Sequence, residues 1–209
     1  ETDDPAEGDY LRYQYGGYTT SVSYVADSRW HYTVELTPEY YCYASQECRA
    51  SEKMQEILEE LDFSRKTTDY EKIQAIYQWI CENVRYDRRG LRNAYDHRSS
   101  TAYAAVIRHL ASCQGYCTAL YRMLRESGIS CRIITGKAAG EEGLHAWVIA
   151  KLDGRYYQLD PTWDAGREEY QYFLVGTAHF SDHEADEIYS AEEFCTAYPM
   201  AEEDYRPES

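Results

Sequence analysis

The sequence predicts an α+β chain, one compact domain with an N-terminal β-rich extension. Three observations predict it. Residues 10–43 are rich in Tyr, Thr and Val, residues 51–127 repeat apolar side chains at helical spacing, and residues 144–160 contain two strand-like runs joined by Asp153-Gly154. A chain of 209 residues without internal repeats can bury a sizeable core and needs no disulfide scaffold.

The elements follow in order. Residues 1–9 are acidic and contain Pro and Gly, so this end is expected to be loose. Tyr10 to Tyr43, broken by Gly16-Gly17 and Asp27-Ser28, reads as two or three strands in a meander. Ser51 to Leu61 reads as a short amphipathic helix, and Thr68-x-x-Glu71 is a capping box opening a longer one. Its stripe is Ile73, Ile76, Tyr77, Ile80, Cys81 and Val84. A third helical pattern carries Tyr103, Val106, Ile107 and Leu110 and ends at Ala111-Ser112-Cys113. The expected organisation is an extension with its short helix over 1–65, packed on a core over 66–200, and a loose acidic tail over 201–209.

From Cys113 to Ser127 a further stripe runs through Tyr116, Cys117, Leu120, Met123 and Leu124, with Ser112 as N-cap and Gly128 as stop. Cys113 therefore sits in a first helical turn, where unpaired N–H groups favour a thiolate. Gly115 is expected to leave open space beside the sulfur. In the last hairpin, Asp153-Gly154 signals a type I′ turn, so Leu152 pairs with Arg155 and opposed positions sum to 307. That register places Asp160 opposite Trp147 and diagonal to His145, close enough for the two side chains to meet. Leu144, Ala146, Val148, Ala150 and Leu152 form a packing face, and His145, Trp147, Gln158 and Asp160 the other. A thiolate, a base and an orienting carboxylate together form a nucleophilic acyl-transfer set.

Lys and Arg number 21 against 37 Asp and Glu, a net charge of −16, which disfavours nucleic acid. No apolar run approaches the length of a membrane span. The seven cysteines contain no C-x-x-C pair, against a zinc ribbon or redox motif. In an exported chain up to three disulfides and one free thiol are expected, with Cys42–Cys48 the nearest local bridge; in a reducing compartment all seven would stay reduced. His31, His97, His109 and His179 are expected on the surface; His183, in Ser181-Asp182-His183, is expected there by default, with a place near the site as the alternative. His109, Cys113 and Cys117 have metal-face spacing, but the helix breaks between them and no fourth ligand is evident.

Cys113-Gln114-Gly115-Tyr116, Gly128-Ile129, His145-Ala146-Trp147 and Leu159-Asp160-Pro161-Thr162-Trp163 resemble, in this order, the motifs of the bacterial transglutaminase-like superfamily. Tyr86-Asp87 and Thr101-Ala102-Tyr103 extend the resemblance, which runs from about residue 70 to 185. It implies a papain-like α+β core, with Cys113 on a central helix against an antiparallel sheet bearing His145 and Asp160. It further implies Cys113 as nucleophile, His145 as base and acid, and Asp160 as orienter, with Tyr103, Trp147 and Trp163 as candidates to line a substrate cleft. Cys117 stands where the family usually has Ala, and is the rival nucleophile or a disulfide partner. The expected activity is thiol-dependent acyl transfer on protein or peptide amides, to water or to an amine, with no cofactor and no metal. The competing expectation is a non-catalytic cell-surface binding module on the same fold. The acidic surface favours cationic protein or peptide partners, cell-wall-associated ones included. The missing initiator Met, the odd cysteine count and the resemblance point to a secreted or cell-surface bacterial protein.

Overall fold

The computed structural model describes residues 2–64, 68–89, 97–140 and 143–207. The core forms where the central helix α5 (Cys113–Glu126) lies across an antiparallel sheet. Sheet order is β8 (Phe173–Val175), β7 (Arg155–Leu159), β6 (His145–Leu152), β5 (Cys131–Ala138) and β9 (His183–Ala185). The predicted hairpin register holds: Leu152 pairs with Arg155 and Val148 with Leu159. Asp153 and Gly154 both take positive φ, 50° and 83°, as a type I′ turn requires.

Around α5 the helices match their stripes. In α3 (Asp69–Asn83), Thr68 N donates to Glu71 Oε2 at 2.7 Å and Glu71 N to Thr68 Oγ1 at 3.2 Å, closing the capping box. It buries Ile73, Ile76, Tyr77, Ile80 and Cys81. At the far end of α5, Ile129 N donates to Leu124 O and Gly128 N to Arg125 O, a Schellman stop at a glycine with φ 82°. The helix over 51–61 is longer than expected: α2 spans Ala44–Leu61 because the Gln46 side chain accepts from Tyr43 N at 3.0 Å and caps it earlier. The third helix is shorter: α4 (Ala102–Val106) ends before His109, whose φ of 53° turns the chain into β4 (Leu110–Ala111). β4 runs parallel to β3 (Arg85–Tyr86) and delivers the backbone to Cys113.

The N-terminal extension divides in two. Strands β1 (Tyr15–Ala26) and β2 (Trp30–Tyr40) form an antiparallel hairpin exposed along almost its whole length, while α2 sends Ala50, Met54 and Ile57 into the core. Thr20, Val22, Tyr24 and Ala26 pair with Leu36, Val34, Tyr32 and Trp30, so one hairpin face is apolar and the other carries Ser21, Ser23, Glu35 and His31.

Both chain ends are anchored where looseness was expected. At the C-terminal end, Tyr205 N donates to Leu174 O, Gly176 N to Asp204 Oδ1, and the Tyr205 ring stacks on Tyr70 at 5.5 Å. At the N-terminal end, Asp9 in α1 (Asp9–Arg12) is buried and accepts from Arg132 Nε at 2.6 Å and Ile133 N at 2.9 Å. Asp9→Ala strands that guanidinium beside the sheet and is expected to cost about 3 kcal/mol in urea unfolding. A change below about 0.5 kcal/mol would show the pair to be dispensable.

All seven cysteines are free thiols, so the expected Cys42–Cys48 bridge is not formed: Cys42 is half-buried before α2 and Cys48 exposed on it. Among the described residues no helix is long and apolar enough to cross a membrane.

Candidate active site

Cys113 is the first residue of α5, buried to 9% exposure, with Ser112 extended before it. The start of this helix is fixed from the side by the 97–101 segment: Ser112 N donates to Ser99 O at 2.9 Å. Gly115 does not leave the open space expected of it. A Cβ there would lie 2.5 Å from Ser99 O and 3.0 Å from Thr101 O, so glycine is needed for this segment to pack against the turn bearing the thiol.

His145 opens β6 and is 1% exposed; Asp160, at the end of β7, is fully buried. The imidazole Nε2 donates to Asp160 Oδ2 at 2.7 Å, which leaves Nδ1 for the Cys113 thiol. Burial alone would lower the imidazole pKa, but hydrogen bonds to Asp160 and Cys113 overcome it and raise it to about 10. Asp160 is also the N-cap of α6 (Pro161–Asp164), its Oδ1 accepting from Thr162 N at 2.9 Å and Trp163 N at 3.3 Å. Burial would raise its pKa, yet the hydrogen bonds from His145 and His183 hold it below the ordinary carboxylate value.

For His183 the structure overturns the default and bears out the alternative, a place near the site. Expected on the surface, its side chain is 0% exposed, with Nε2 3.1 Å from Asp160 Oδ2 and Nδ1 2.8 Å from Asp182 Oδ1. It starts β9, whose approach to β5 requires Gly136, since a Cβ there would lie 2.1 Å from Glu184 O. Phe180 stacks on its ring at 4.0 Å and Trp163 lies at 4.5 Å. Ser181-Asp182-His183 has neither strand alternation nor motif spacing, so no local signal marks it. His145, Asp160 and His183 converge enough to resemble a metal donor set. Their 2.7 and 3.1 Å separations are those of hydrogen bonds; donor atoms tetrahedral around a zinc ion stand roughly 3.3 Å apart, given bonds near 2.0 Å.

The remaining candidates separate. Cys117 is fully buried, and burial together with Cys113 and Asp160 pushes its thiol pKa well up, which removes it as rival nucleophile. The helix break expected between His109 and Cys113 is present: His109 lies outside α5, with Nδ1 3.0 Å from Asn83 O. Trp147 is 1% exposed in a second core with Ile149, Tyr156, Val175 and Phe180, its Nε1 donating to Gln158 at 2.7 Å. The sheet is thus covered on both faces, and Trp147 supports the His145 and His183 rings from behind, at 6.2 and 5.2 Å. Trp163 is half-buried, 5.9 Å from the His145 ring, and borders a cavity of about 550 Å³. Tyr103 lines a different cavity with Tyr40, Tyr41 and Tyr43, its hydroxyl 3.2 Å from Arg49 Nη1.

The chain is similar to known proteins. Over 134 residues the chain is 29% identical to the kyphoscoliosis peptidase of Homo sapiens, covering 59% of this chain and 20% of that protein. Over 109 residues it is 28% identical to the kyphoscoliosis peptidase of Mus musculus, covering 47% and 16%. The chain thus spans a fifth or less of the length of these curated relatives. A solved structure described as the crystal structure of a TGase superposes with a TM-score of 0.51 at 18% identity, over 74% of this chain and 47% of that one, a likeness of fold. Residues 58–161, which include Cys113, His145 and Asp160, match the transglutaminase-like superfamily model. With the central helix on its antiparallel sheet and this match, the chain belongs to the transglutaminase-like superfamily.

Proposed function

We propose that the protein is a thiol-dependent acyl-transfer enzyme acting on protein or peptide amides. The observation that carries this reading is the buried 2.7 Å bond between Asp160 and His145, with the second face of the imidazole on Cys113 at a helix start. Cys113 Sγ attacks the carboxamide or peptide carbonyl, forming the C–S bond. The negative charge that develops on oxygen falls beside the backbone N–H of Cys113. The protonated His145 then gives its proton to the departing nitrogen, the C–N bond breaks, and an acyl-enzyme remains. Water activated by the same imidazole releases an acid; a primary amine releases a new amide. Asp160 holds the ring in the tautomer that the cycle needs. Trp163 forms a wall of the cleft, whereas the burial of Trp147 assigns it a supporting position behind the imidazole.

The test follows both products from one reaction. The full chain is incubated with glutamine-containing and other peptides, with and without a primary amine, while ammonia release, amine incorporation and chain cleavage are read by mass spectrometry. Turnover that Cys113→Ala abolishes is the expected result, and the acceptor used separates hydrolase from crosslinker. Equal rates for wild type and Cys113→Ala across the peptide set would overturn the reading.

A further inference from the structure

The cavity bordered by Trp163 has a charge opposite to that of the molecule. Besides Trp163 it is lined by Arg85, Arg88 and Arg167, with Glu82 the one carboxylate among its described lining residues. The chain carries only 21 Lys and Arg in a total charge of −16, so three arginines around one opening form a local reversal. Arg85 and Arg88 are exposed, and neither has a carboxylate within ion-pair distance among the described residues. Arg167 is held in place: its Nε donates to Trp163 O at 2.6 Å, its Nη1 to Gln171 Oε1 at 2.8 Å, and its guanidinium lies over Tyr172. It therefore remains at the cavity as a fixed cation.

The cavity also belongs to the neighbourhood of the triad. One wall is Thr162 and Trp163, the two residues directly after the Asp160 cap, and Trp163 touches the His145 ring. The opposite wall is β3, whose partner strand β4 runs into Cys113. At physiological ionic strength the acidic remainder of the surface is screened beyond roughly 8 Å, so a group bound within the cavity is governed by the nearby arginines. A guanidinium fork pairs two N–H groups with a carboxylate.

We propose that this cavity is a subsite for an anionic group of the substrate, so that the enzyme acts on amides neighbouring Asp, Glu or a chain-terminal carboxylate. The inference rests on the acyl-transfer reading for its place in a reaction and replaces the cationic partner expected from net charge alone. The subsite binds its ligand without turnover, and this makes the two readings separable.

The experiment uses the full chain carrying Cys113→Ala, titrated calorimetrically with three peptides built around one glutamine. They are flanked respectively by Asp and Glu, by Asn and Gln, and by Lys. The expected result is at least tenfold tighter binding of the acidic peptide than of its neutral isostere, weakened by added salt. Arg85→Gln with Arg88→Gln, both exposed side chains, is expected to bring the two affinities within twofold of each other while the circular dichroism spectrum stays unchanged. Equal binding of acidic and neutral peptides, preference for the lysine peptide, absence of binding by all three, or an acidic preference that survives the double variant would each overturn the subsite. Acidic preference in binding with no Cys113-dependent turnover of the same peptide would leave the subsite standing and remove the acyl-transfer reading. Cys113-dependent turnover indifferent to flanking charge would do the reverse.

Discussion

His145→Ala is expected to slow turnover by about 10⁴-fold and to change the pH dependence of thiol alkylation, because this imidazole is both proton acceptor and counter-ion for Cys113. The pKa of His145 is raised to about 10 by Asp160 and Cys113, against the opposing effect of burial. Across neutral pH the ring is therefore a cation beside the thiol and favours its ionised form. Iodoacetamide should modify wild-type Cys113 rapidly even near pH 6. In His145→Ala the thiol loses its counter-ion and the rate at that pH should drop about 10²-fold, as for an unassisted thiol. Cys48 and Cys195 are exposed free thiols, so the modified residue has to be located by peptide mass. Identical alkylation profiles for Cys113 in the two proteins would show that no thiolate–imidazolium pair exists.

The same shift has a stability consequence. A folded-state pKa raised above the unfolded value of about 6.5 means that the native state binds the proton more tightly. The resulting stabilisation is complete below the unfolded pKa and is lost as pH rises through about 10. His145→Ala should therefore flatten the alkaline limb of the stability curve in urea titrations at pH 7 to 10.

Where the sequence expectation succeeded, the signal was local. The Asp153-Gly154 turn sets a register that runs as far as Val148 and Leu159, and His145 and Asp160 lie just beyond its end, within hydrogen-bond reach of each other. The α5 stripe and its glycine stop were equally readable, since Gly128 acts within a single turn of its own position; Ser112 stands at the expected N-cap position, but its hydroxyl donates to Ser99 O at 3.3 Å instead of capping the helix. His183 was not readable for the opposite reason. It reaches Asp160 across the sheet from a three-residue edge strand, and the 22 residues of intervening chain decide that approach. Gly115 was misread because a glycine in a first turn signals equally an opening or a close contact; only the path of the 97–101 segment distinguishes them. The hairpin of β1 and β2 displays the reverse problem. Its alternation was visible, but alternation reports that one face is apolar and not what lies against it: Val22, Tyr24, Trp30, Val34 and Leu36 are each about 60% exposed. The cationic cavity was hidden beneath net charge, since Arg167 is about 80 residues from Arg85 and Arg88 in sequence and joins them only where the segment after α6 comes to border the same cavity as the β3 segment.

Asp160→Asn combines a catalytic and a structural effect at one atom. Asp160 Oδ2 faces two imidazole nitrogens, His145 Nε2 and His183 Nε2, and Oδ1 caps α6. Asparagine can keep the cap with its carbonyl oxygen, so the chain turn into Trp163 survives. Its amide then presents N–H groups to both rings, and His145 must accept on Nε2. The remaining ring proton shifts to Nδ1, on the side where Cys113 needs an acceptor, so the ring can no longer take the thiol proton. By analogy with other triads the expected loss in kcat is about 10⁴-fold with KM little changed. Stability should respond on the acid side. Against the opposing effect of burial, Asp160 has its pKa held below the ordinary carboxylate range by the two imidazoles. A depressed folded-state pKa contributes stability that is present above the unfolded value of about 3.9 and is lost as pH falls through the folded pKa. Asp160→Asn should therefore be destabilised at neutral pH, yet show a weaker further loss between pH 5 and 2 than wild type. Asp160→Ala removes the α6 cap as well, a further cost of about 1 kcal/mol. The ratio of the two variants in urea unfolding separates the cap from the charge. An Asp160→Asn protein with wild-type kcat would show that His145 is oriented by its other neighbours, Trp147, Trp163 and His183, and that the carboxylate is held there for the helix alone.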